Sequence, residues 1–420
     1  NFGGVISGPV WLPRKFFGPA SYDGHNRSFF LFGYEGLRRR ESSEVTLTVP
    51  TAALRGGDFR GVANLFDPAT TRRVGNATVR DPLSCNGVAN LICPDRIDAV
   101  ARAMLDYYPA PNRPGNANNY FRLAPTPTDQ DALNVRLDHQ LNANQRATFR
   151  YGRLRTARVN TVNFPGPAGA GSASASSATN SVRWNFAASH TATLSPTLVN
   201  NFSFGYFLTR NQQFVPGQGE GWATRFGFTG VSPDQFPLVT LTGLAGFGGG
   251  NQSSVFPARN YDLSDSLTWV RNRHTLKLGG QFRRLRFDDQ RGTGVTFGFD
   301  SQATFNTQTR QGGNSFASFL LGIPTTTSVN VREPSGFSFR YRYYAGYLQD
   351  DFRVGTRLTL NLGLRWETTT PRTEAKDLQT VFNLQTIENV ELWQQMPVNA
   401  QVGGRIHNPW IWTKFLVTIL

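Results

Sequence analysis

Four times along the chain, two segments of alternating apolar and polar residues, each roughly ten residues long or more, are joined by a very short polar turn, and a much longer loop separates each pair from the next. The clearest pair covers residues 181–194, turns at 195–197 and returns over 198–209. Val182, Trp184, Phe186, Ala188, Ala192 and Leu194 share one parity, and Arg183, Asn185, Ser189, Thr191 and Thr193 the other. Side chains alternate sides along a strand, so this pattern makes a sheet apolar on one face and polar on the other. A sandwich or a propeller has no reason to keep its short turns at one end and its long loops at the other. The pattern therefore predicts an all-β fold: an antiparallel transmembrane β-barrel of about ten meandering strands with short turns at one end and long loops at the other.

Composition agrees with that fold. Apolar residues make up only 39% of the chain and mean hydropathy is −0.36, as a barrel needs an apolar outer band only at every second position. No segment approaches the roughly 18 uncharged apolar residues of a spanning helix, whereas a strand crosses in about 9–11. The chain opens mid-pattern at Asn1 with no start Met and no signal peptide, and it reads as a fragment. A net charge of +15 is the signature of a nucleic-acid partner or of anionic lipid. The arginines stand singly or in short groups such as Arg38, Arg39 and Arg40, with no basic helix and no aromatic RNA-binding motif, so no nucleic-acid partner is expected. Cys85 and Cys93 lie close together in a polar loop. If the segment is exported they form a disulfide; two free thiols is the reading for a cytosolic loop.

The remaining pairs follow the same scheme. An early strand over about residues 1–10 precedes one at 28–37. Residues 41–131 form a long extracellular loop, too long to be structureless. Within it Ile97, Val100, Ala101, Met104, Leu105 and Tyr108 recur at helical spacing before Pro109 and Pro111, which predicts a short helix packed on its own loop. Next comes a hairpin in which Leu133, Val135, Leu137, His139 and Leu141 alternate with polar residues and the chain returns through Ala147, Phe149 and Tyr151. The Gly/Ala/Ser run at 166–178 reads as a mobile loop tip. The third pair turns at 271–273, with charge at 283–287 carrying the strand beyond the membrane band, and the fourth turns at 354–356. Residues 315–324 are apolar without alternation, a short helix or loop set against the barrel rim or lumen. Trp269, Tyr341, Tyr343, Tyr344, Tyr347 and Trp366 cluster near strand ends, the place of interfacial aromatics.

Reactive constellations are missing from the pattern. His25, His139, His190, His274 and His407 are scattered with no nucleophile at matching spacing, so no catalytic residues and no enzyme activity are expected. The pairs Asp288-Asp289 and Asp350-Asp351 read as solvated rim residues, because no alternating oxygen-ligand run surrounds them. Neither a metal nor a cofactor is expected. The glycine patch at 243–250 lacks the strand and helix that a phosphate cradle needs.

Several stretches resemble the TonB-dependent outer-membrane receptors, in particular the Oar-like branch with large extracellular loops. They are Asn1-Phe-Gly-Gly-Val-Ile-Ser-Gly-Pro9, Phe29-Phe-Leu-Phe-Gly-Tyr-Glu-Gly36, Val49-Pro-Thr-Ala-Ala-Leu-Arg-Gly-Gly-Asp-Phe59, Asp67-Pro68, Tyr108-Pro-Ala-Pro-Asn112, Val135-Arg-Leu-Asp-His139, Phe319-Leu-Leu-Gly322, Tyr347-Leu-Gln-Asp-Asp-Phe352 and Leu358-Thr-Leu-Asn-Leu-Gly-Leu-Arg365. The resemblance implies a barrel of about 22 strands, filled by a plug that an energy-transducing TonB complex pulls, in the outer membrane of a Gram-negative-type bacterium. On that plan residues 1–401 are a partial barrel lacking plug and later strands, and residues 402–420 are an atypical tail of the kind a truncated or misread gene produces. The implied function is import of an extracellular ligand of unknown identity and unknown binding residues, with outer-membrane lipid and the TonB complex as partners. An adhesin or structural surface protein is the alternative, and a soluble secreted β-rich binding protein a third. A partial barrel has two unsatisfied edges in lipid. The isolated chain is therefore expected to aggregate or fail to insert, and a heat-resistant inserted monomer on semi-native gels would overturn that expectation.

Overall fold

A computed structural model describes residues 1–172, 176–229, 235–249, 254–291, 294–330 and 336–376, and the backbone of a strand at Leu416–Ile419. Ten strands form one antiparallel meander: β1 (Phe2–Pro9), β2 (Ser28–Arg39), β3 (Thr128–Asn142), β4 (Gln145–Val159), β5 (Ala178–Ser195), β6 (Leu198–Phe214), β7 (Ser254–Arg271), β8 (His274–Arg291), β9 (Gly336–Arg353) and β10 (Thr359–Thr369). Each pairs with its neighbours in sequence, and Leu416–Ile419 adds to β10. Among the described residues the sheet does not close: β1 holds one edge and Leu416–Ile419 the other. Of the expected tail at 402–420, all but that strand lies outside the described residues.

Register fixes the two faces. Phe32, Val135, Tyr151, Phe186, Tyr206 and Tyr261 stand directly opposite one another across β2 to β7. One residue further along, Arg136, Arg150, Ala187, Gly205, Asp262, Arg283 and Tyr343 make a row on the other face from β3 to β9. The apolar face leaves Leu263, Leu278, Leu348 and Leu364 exposed at 42–56%, which only a lipid environment satisfies over so wide an area. The polar face is the lumen side. Tyr341, Tyr343 and Tyr347 share the lumenal parity, and the Tyr343 hydroxyl donates to Glu367 at 2.8 Å. Alternation thus leaves only Trp269, Tyr344 and Trp366 of the six expected interfacial aromatics on the lipid side.

The turns at 143–144, 196–197, 272–273 and 354–358 lie at one end, as does the longer connection at 10–27. All other loops leave the opposite end, where they build a cap with its own core. The loop between β2 and β3 contains a short sheet of Ser42–Leu47 with Tyr120–Pro125, and helix α1 (Ala99–Leu105), whose first turn is capped by Asp98 accepting from the Ala101 amide at 2.8 Å. The helix is shorter than its apolar spacing predicts because this cap starts it only after Ile97. The later loops supply a four-stranded sheet, Leu244–Phe247, Leu238–Leu241, Gly294–Phe299 and Thr326–Asn330, in which strands from two different loops pair in parallel. They also supply helix α2 (Ser315–Leu320), buried along its whole length. Ser315–Leu320 therefore fills the cap interior and is not set against the barrel rim or lumen, while residues 322 and 323 after it are exposed.

The glycine-rich run is a second correction. Residues 173–175 lie outside the described residues, but Ala168 and Ala170 before them are buried. The Gly248 amide donates to the Ala168 carbonyl at 2.7 Å and the Gly171 amide to the Gly248 carbonyl at 2.9 Å. Gly248 has φ of 85°, and a Cβ there would strike the Pro237 carbonyl oxygen. The glycines here let two backbones approach closely.

Phe319 is central to the cap, 1% exposed, with ring centroids 5.4 Å from Phe299, 5.6 Å from Phe316 and 5.7 Å from Phe247. Phe319→Ala removes about 3–5 kcal/mol from a buried aromatic site. The expected result is proteolytic opening of residues 40–127 and 294–330 with the strand meander still protected, measured by limited proteolysis with mass mapping.

Candidate functional site: the loop cap and the lumenal face

Backbone and side-chain bonds tie the cap loops to one another. The Asp98 amide donates to Leu320 O at 2.8 Å, the Phe66 amide to Thr304 O at 2.8 Å, and the Ala245 amide to Thr48 O at 2.8 Å. Tyr108, 1% exposed, stacks on Phe247 at 4.4 Å and donates its hydroxyl to Ala245 O at 2.6 Å. Burial pushes its phenol above the ordinary tyrosine range. Asn119 is fully buried, its Oδ1 accepting from the Val49 amide at 2.8 Å and its Nδ2 donating to Val49 O at 2.9 Å. A second aromatic group joins Tyr107, Trp222, Phe226 and Phe236, with centroid separations of 4.8–6.5 Å. These contacts bring four separate loops into one hydrophobic cluster.

Charge inside the cap serves structure. Arg55 caps the end of α1 by donating to Leu105 O at 3.0 Å and Tyr108 O at 2.8 Å, and burial lowers its pKa. Arg80 donates to Gln302 O at 2.8 Å and Ala303 O at 2.9 Å, tying the first loop to the last; desolvation lowers its pKa too. Cys85 and Cys93 are joined by a disulfide closing a small hairpin, Ser84–Cys85 with Val88–Ala89. Asp58 is drawn down to about 2, first by its side-chain hydrogen bond with Arg60.

Between cap and strand ends lies a cavity of about 200 Å³ lined by Arg122, Val159, Val162, Phe164 and Pro216 among others. Arg122 is committed to the carbonyls of Val162 and Asn163 at 2.5 and 3.1 Å, so the free wall of this cavity is mostly apolar. Below it the lumenal face carries ordered polar groups. Asp138 accepts from Arg136 and Arg146 at 2.9 Å each and from Thr148 at 2.7 Å. Asp262 takes Gln281 at 3.0 Å and Arg283 at 2.6 Å, and Arg365 reaches Glu367 at 3.1 Å and the Tyr343 hydroxyl at 3.0 Å. Such an arrangement suits a polar body or solute passing through the lumen, held by many weak contacts.

Asp288 departs from its expected place on a solvated rim. It is 8% exposed and accepts from Arg286, two residues before it on β8, at 2.9 Å and from Arg259 on β7 at 3.1 Å, a partner that no local pattern links to it. At the short-turn end Asp350 meets His274 at 2.7 Å and Asp351 meets Lys277 at 3.3 Å. No group of three or more His, Cys, Asp or Glu among the described residues could hold a metal ion, and no described helix is long and apolar enough to cross a membrane.

The Asp67–Arg96 pair gives the cap a pH dependence. Asp67 accepts from both Arg96 terminal nitrogens at 2.6 and 2.8 Å, and that hydrogen bonding is the main reason its carboxyl sits below the ordinary range. A carboxylate depressed in the folded state stabilises it above the unfolded value near about 3.9, and that contribution fades as pH falls through the folded value. Asp67→Asn is expected to destabilise the cap by roughly 1–2 kcal/mol at pH 7 and by much less once the wild-type carboxylate is protonated, measured by hydrogen exchange across that range.

Residues 1–413 match the family model described as outer membrane beta barrel domain. Among solved structures, the outer membrane transporter YddB from Escherichia coli aligns over 89% of this chain and 34% of its own, with 9% identity and a TM-score of 0.44. The siderophore receptor PiuA from Acinetobacter baumannii aligns over 87% and 42%, with 10% identity and a TM-score of 0.34. The copper transporter OprC aligns over 86% and 35%, with 9% identity and a TM-score of 0.34. The chain thus spans between about a third and two fifths of the length of each. No curated protein matches the sequence significantly. With a match over nearly its whole length, the chain belongs to the outer membrane beta barrel domain family and is a protein of the Gram-negative outer membrane.

Proposed function

We propose that this chain is part of a TonB-dependent outer-membrane receptor, whose cap captures an extracellular ligand that is then imported through the lumen. The observation that carries the reading is the gathering of long loops at one end into a single body with a shared core. Loops ordered before a ligand arrives spare the ordering entropy that binding otherwise costs. The polar lumenal face beneath the cap offers a path lined by Asp138, Asp262 and Arg283. In this reading force from the TonB complex acts on a plug within that lumen, the long loops face the exterior, and the turns face the periplasm.

Sidedness and transport are tested separately. Val74, 57% exposed at a hairpin of the cap, and Gly355 in a short turn are replaced by cysteine one at a time in the full-length protein. An impermeant maleimide applied to intact cells is expected to label V74C and not G355C; the reverse pattern overturns the orientation. For transport, a deletion strain competes with its parent on a panel of ferric siderophores, copper, cobalamin and oligosaccharides. Import predicts a growth deficit on at least one source that vanishes when TonB is also absent. A loss of surface attachment with no TonB-dependent deficit would replace import with adhesion.

A further inference from the structure

The outward face of β7, β8 and β9 changes character abruptly at the long-loop end. Leu263, Phe282 and Tyr344 belong to the apolar band. Beyond them the outward residues are arginines: Arg259 on β7 after Tyr261, Arg284 and Arg286 on β8, and Arg340 and Arg342 on β9. Register puts Arg284 directly opposite Arg342, and Arg286 opposite both Arg340 and Arg259. Like charges facing each other across an antiparallel pair repel. Asp288 serves Arg259 and Arg286, and no described side chain forms an ion pair or a hydrogen bond with the guanidinium group of Arg284, Arg340 or Arg342. Five arginines therefore share one carboxylate on this patch.

Depth follows from strand length. Strands β7 to β9 each have 18 residues, whereas about 9–11 cross the hydrocarbon. An arginine facing lipid at the bilayer midplane costs about 2–4 kcal/mol and near the interface about 0–1. Five on one patch can stand only at headgroup level. Immediately beside them the same face holds a groove of about 530 Å³ lined by Tyr151, Trp184, Phe186, Phe204, Tyr206 and Tyr261. Its walls join the patch: Tyr261 is opposite Arg284, and Leu208 of the groove is opposite Arg259. Because it opens on the lipid side, this groove is not part of the path beneath the cap.

We propose that groove and arginines together form a binding site for a phosphorylated, acylated glycolipid of the outer leaflet, with acyl chains against the aromatic rings and phosphate groups bridging the facing arginines. A guanidinium donates through a planar fork that matches phosphate oxygens. An anion between Arg284 and Arg342 turns their repulsion into two attractions. The groove contributes apolar area that free phosphate cannot use, which is the reason for assigning a lipid. Placement in the outer leaflet rests on the sidedness proposed above, but the binding measurement does not.

The test uses the full-length protein in neutral detergent, with diphosphoryl lipid A, its dephosphorylated counterpart and inorganic phosphate as probes, followed by native mass spectrometry and titration. Wild-type protein is expected to hold the diphosphorylated lipid at least about tenfold more tightly than the dephosphorylated one, and R284Q/R340Q/R342Q to lose about tenfold or more. W184A tests the groove and is expected to weaken the lipid without changing any response to inorganic phosphate. R183Q, on the lumenal parity of β5, leaves lipid binding unchanged. Heat-modifiable mobility reports that each variant is folded, and the triple Lys variant, which retains charge, guards against a folding defect and should bind between wild type and the Gln variant. Binding indifferent to lipid phosphorylation or to the triple substitution overturns the proposal, as does inorganic phosphate displacing the lipid at equal concentration. Reversed maleimide labelling with intact lipid binding would instead move the site to the inner leaflet and overturn only the sidedness.

Discussion

Every feature of this protein depends on the backbone ladder from β1 to β10. In hydrocarbon no water is available to satisfy an amide or carbonyl, so the strands must satisfy one another. The register runs without a shift through the β2–β3, β4–β5, β6–β7 and β8–β9 pairs, and the shifts in β3–β4 and β5–β6 fall at the turns, between Gln140 and Asn142 and between Thr193 and Ser195. A slip of one residue would send Phe186 and Tyr206 into the lumen and Arg183 into lipid. Pairing and sidedness are thus one constraint, and the band, the lumenal network and the arginine patch are three consequences of it.

The cap obeys a different logic. Its loops leave the ladder and regain water, so they need not pair as strands, but they carry apolar residues that no single loop can bury. Phe319 of the last loop, with Phe316 packed on it, meets Phe247 of the third, which meets Tyr108 of the first. Pooling solves the problem that each faces alone. It also means that the cap responds to a disturbance as one body, because a lost contact in one loop exposes the core of the others.

The two parts differ in how legible they are in the sequence. Hairpins such as β5–β6 and β7–β8 are encoded locally: parity within ten residues gives the face, and short polar turns give the connection. The helix at Ala99–Leu105 is legible for the same reason. The cap core is not, because its partners are remote; Tyr108 reaches Ala245 across 137 positions, and Leu238–Leu241 pairs in parallel with a strand from another loop. Composition marked residues 166–178 as flexible, since it registers the freedom of glycine and not the neighbour that requires it. That neighbour is Gly248, itself in a patch without a recognisable motif. Asp288 misled for a related reason: adjacent carboxylates look solvated until strand pairing brings Arg259 alongside. Tyr341, Tyr343 and Tyr347 were legible in principle, as parity alone separates them from Tyr344.

Charge shows how the ladder converts composition into a field. The net charge of +15 has no address in the sequence, but pairing assigns one. On the lumenal side Arg136 and Arg146 share Asp138, Arg283 meets Asp262, and Arg365 meets Glu367, so much of the charge there is compensated within the sheet. On the outward side Arg284, Arg340 and Arg342 are left facing other arginines. Uncompensated charge therefore collects where the apolar band ends toward the cap, at the depth at which a membrane presents its headgroups. Stability and binding are coupled at that point: the repulsion that the register imposes on an empty sheet becomes attraction when an anion stands between the strands. A soluble sheet would relieve such a row with interleaved carboxylates. A membrane sheet can leave it to the lipid, since its surroundings are as constant a part of the folded structure as a neighbouring side chain.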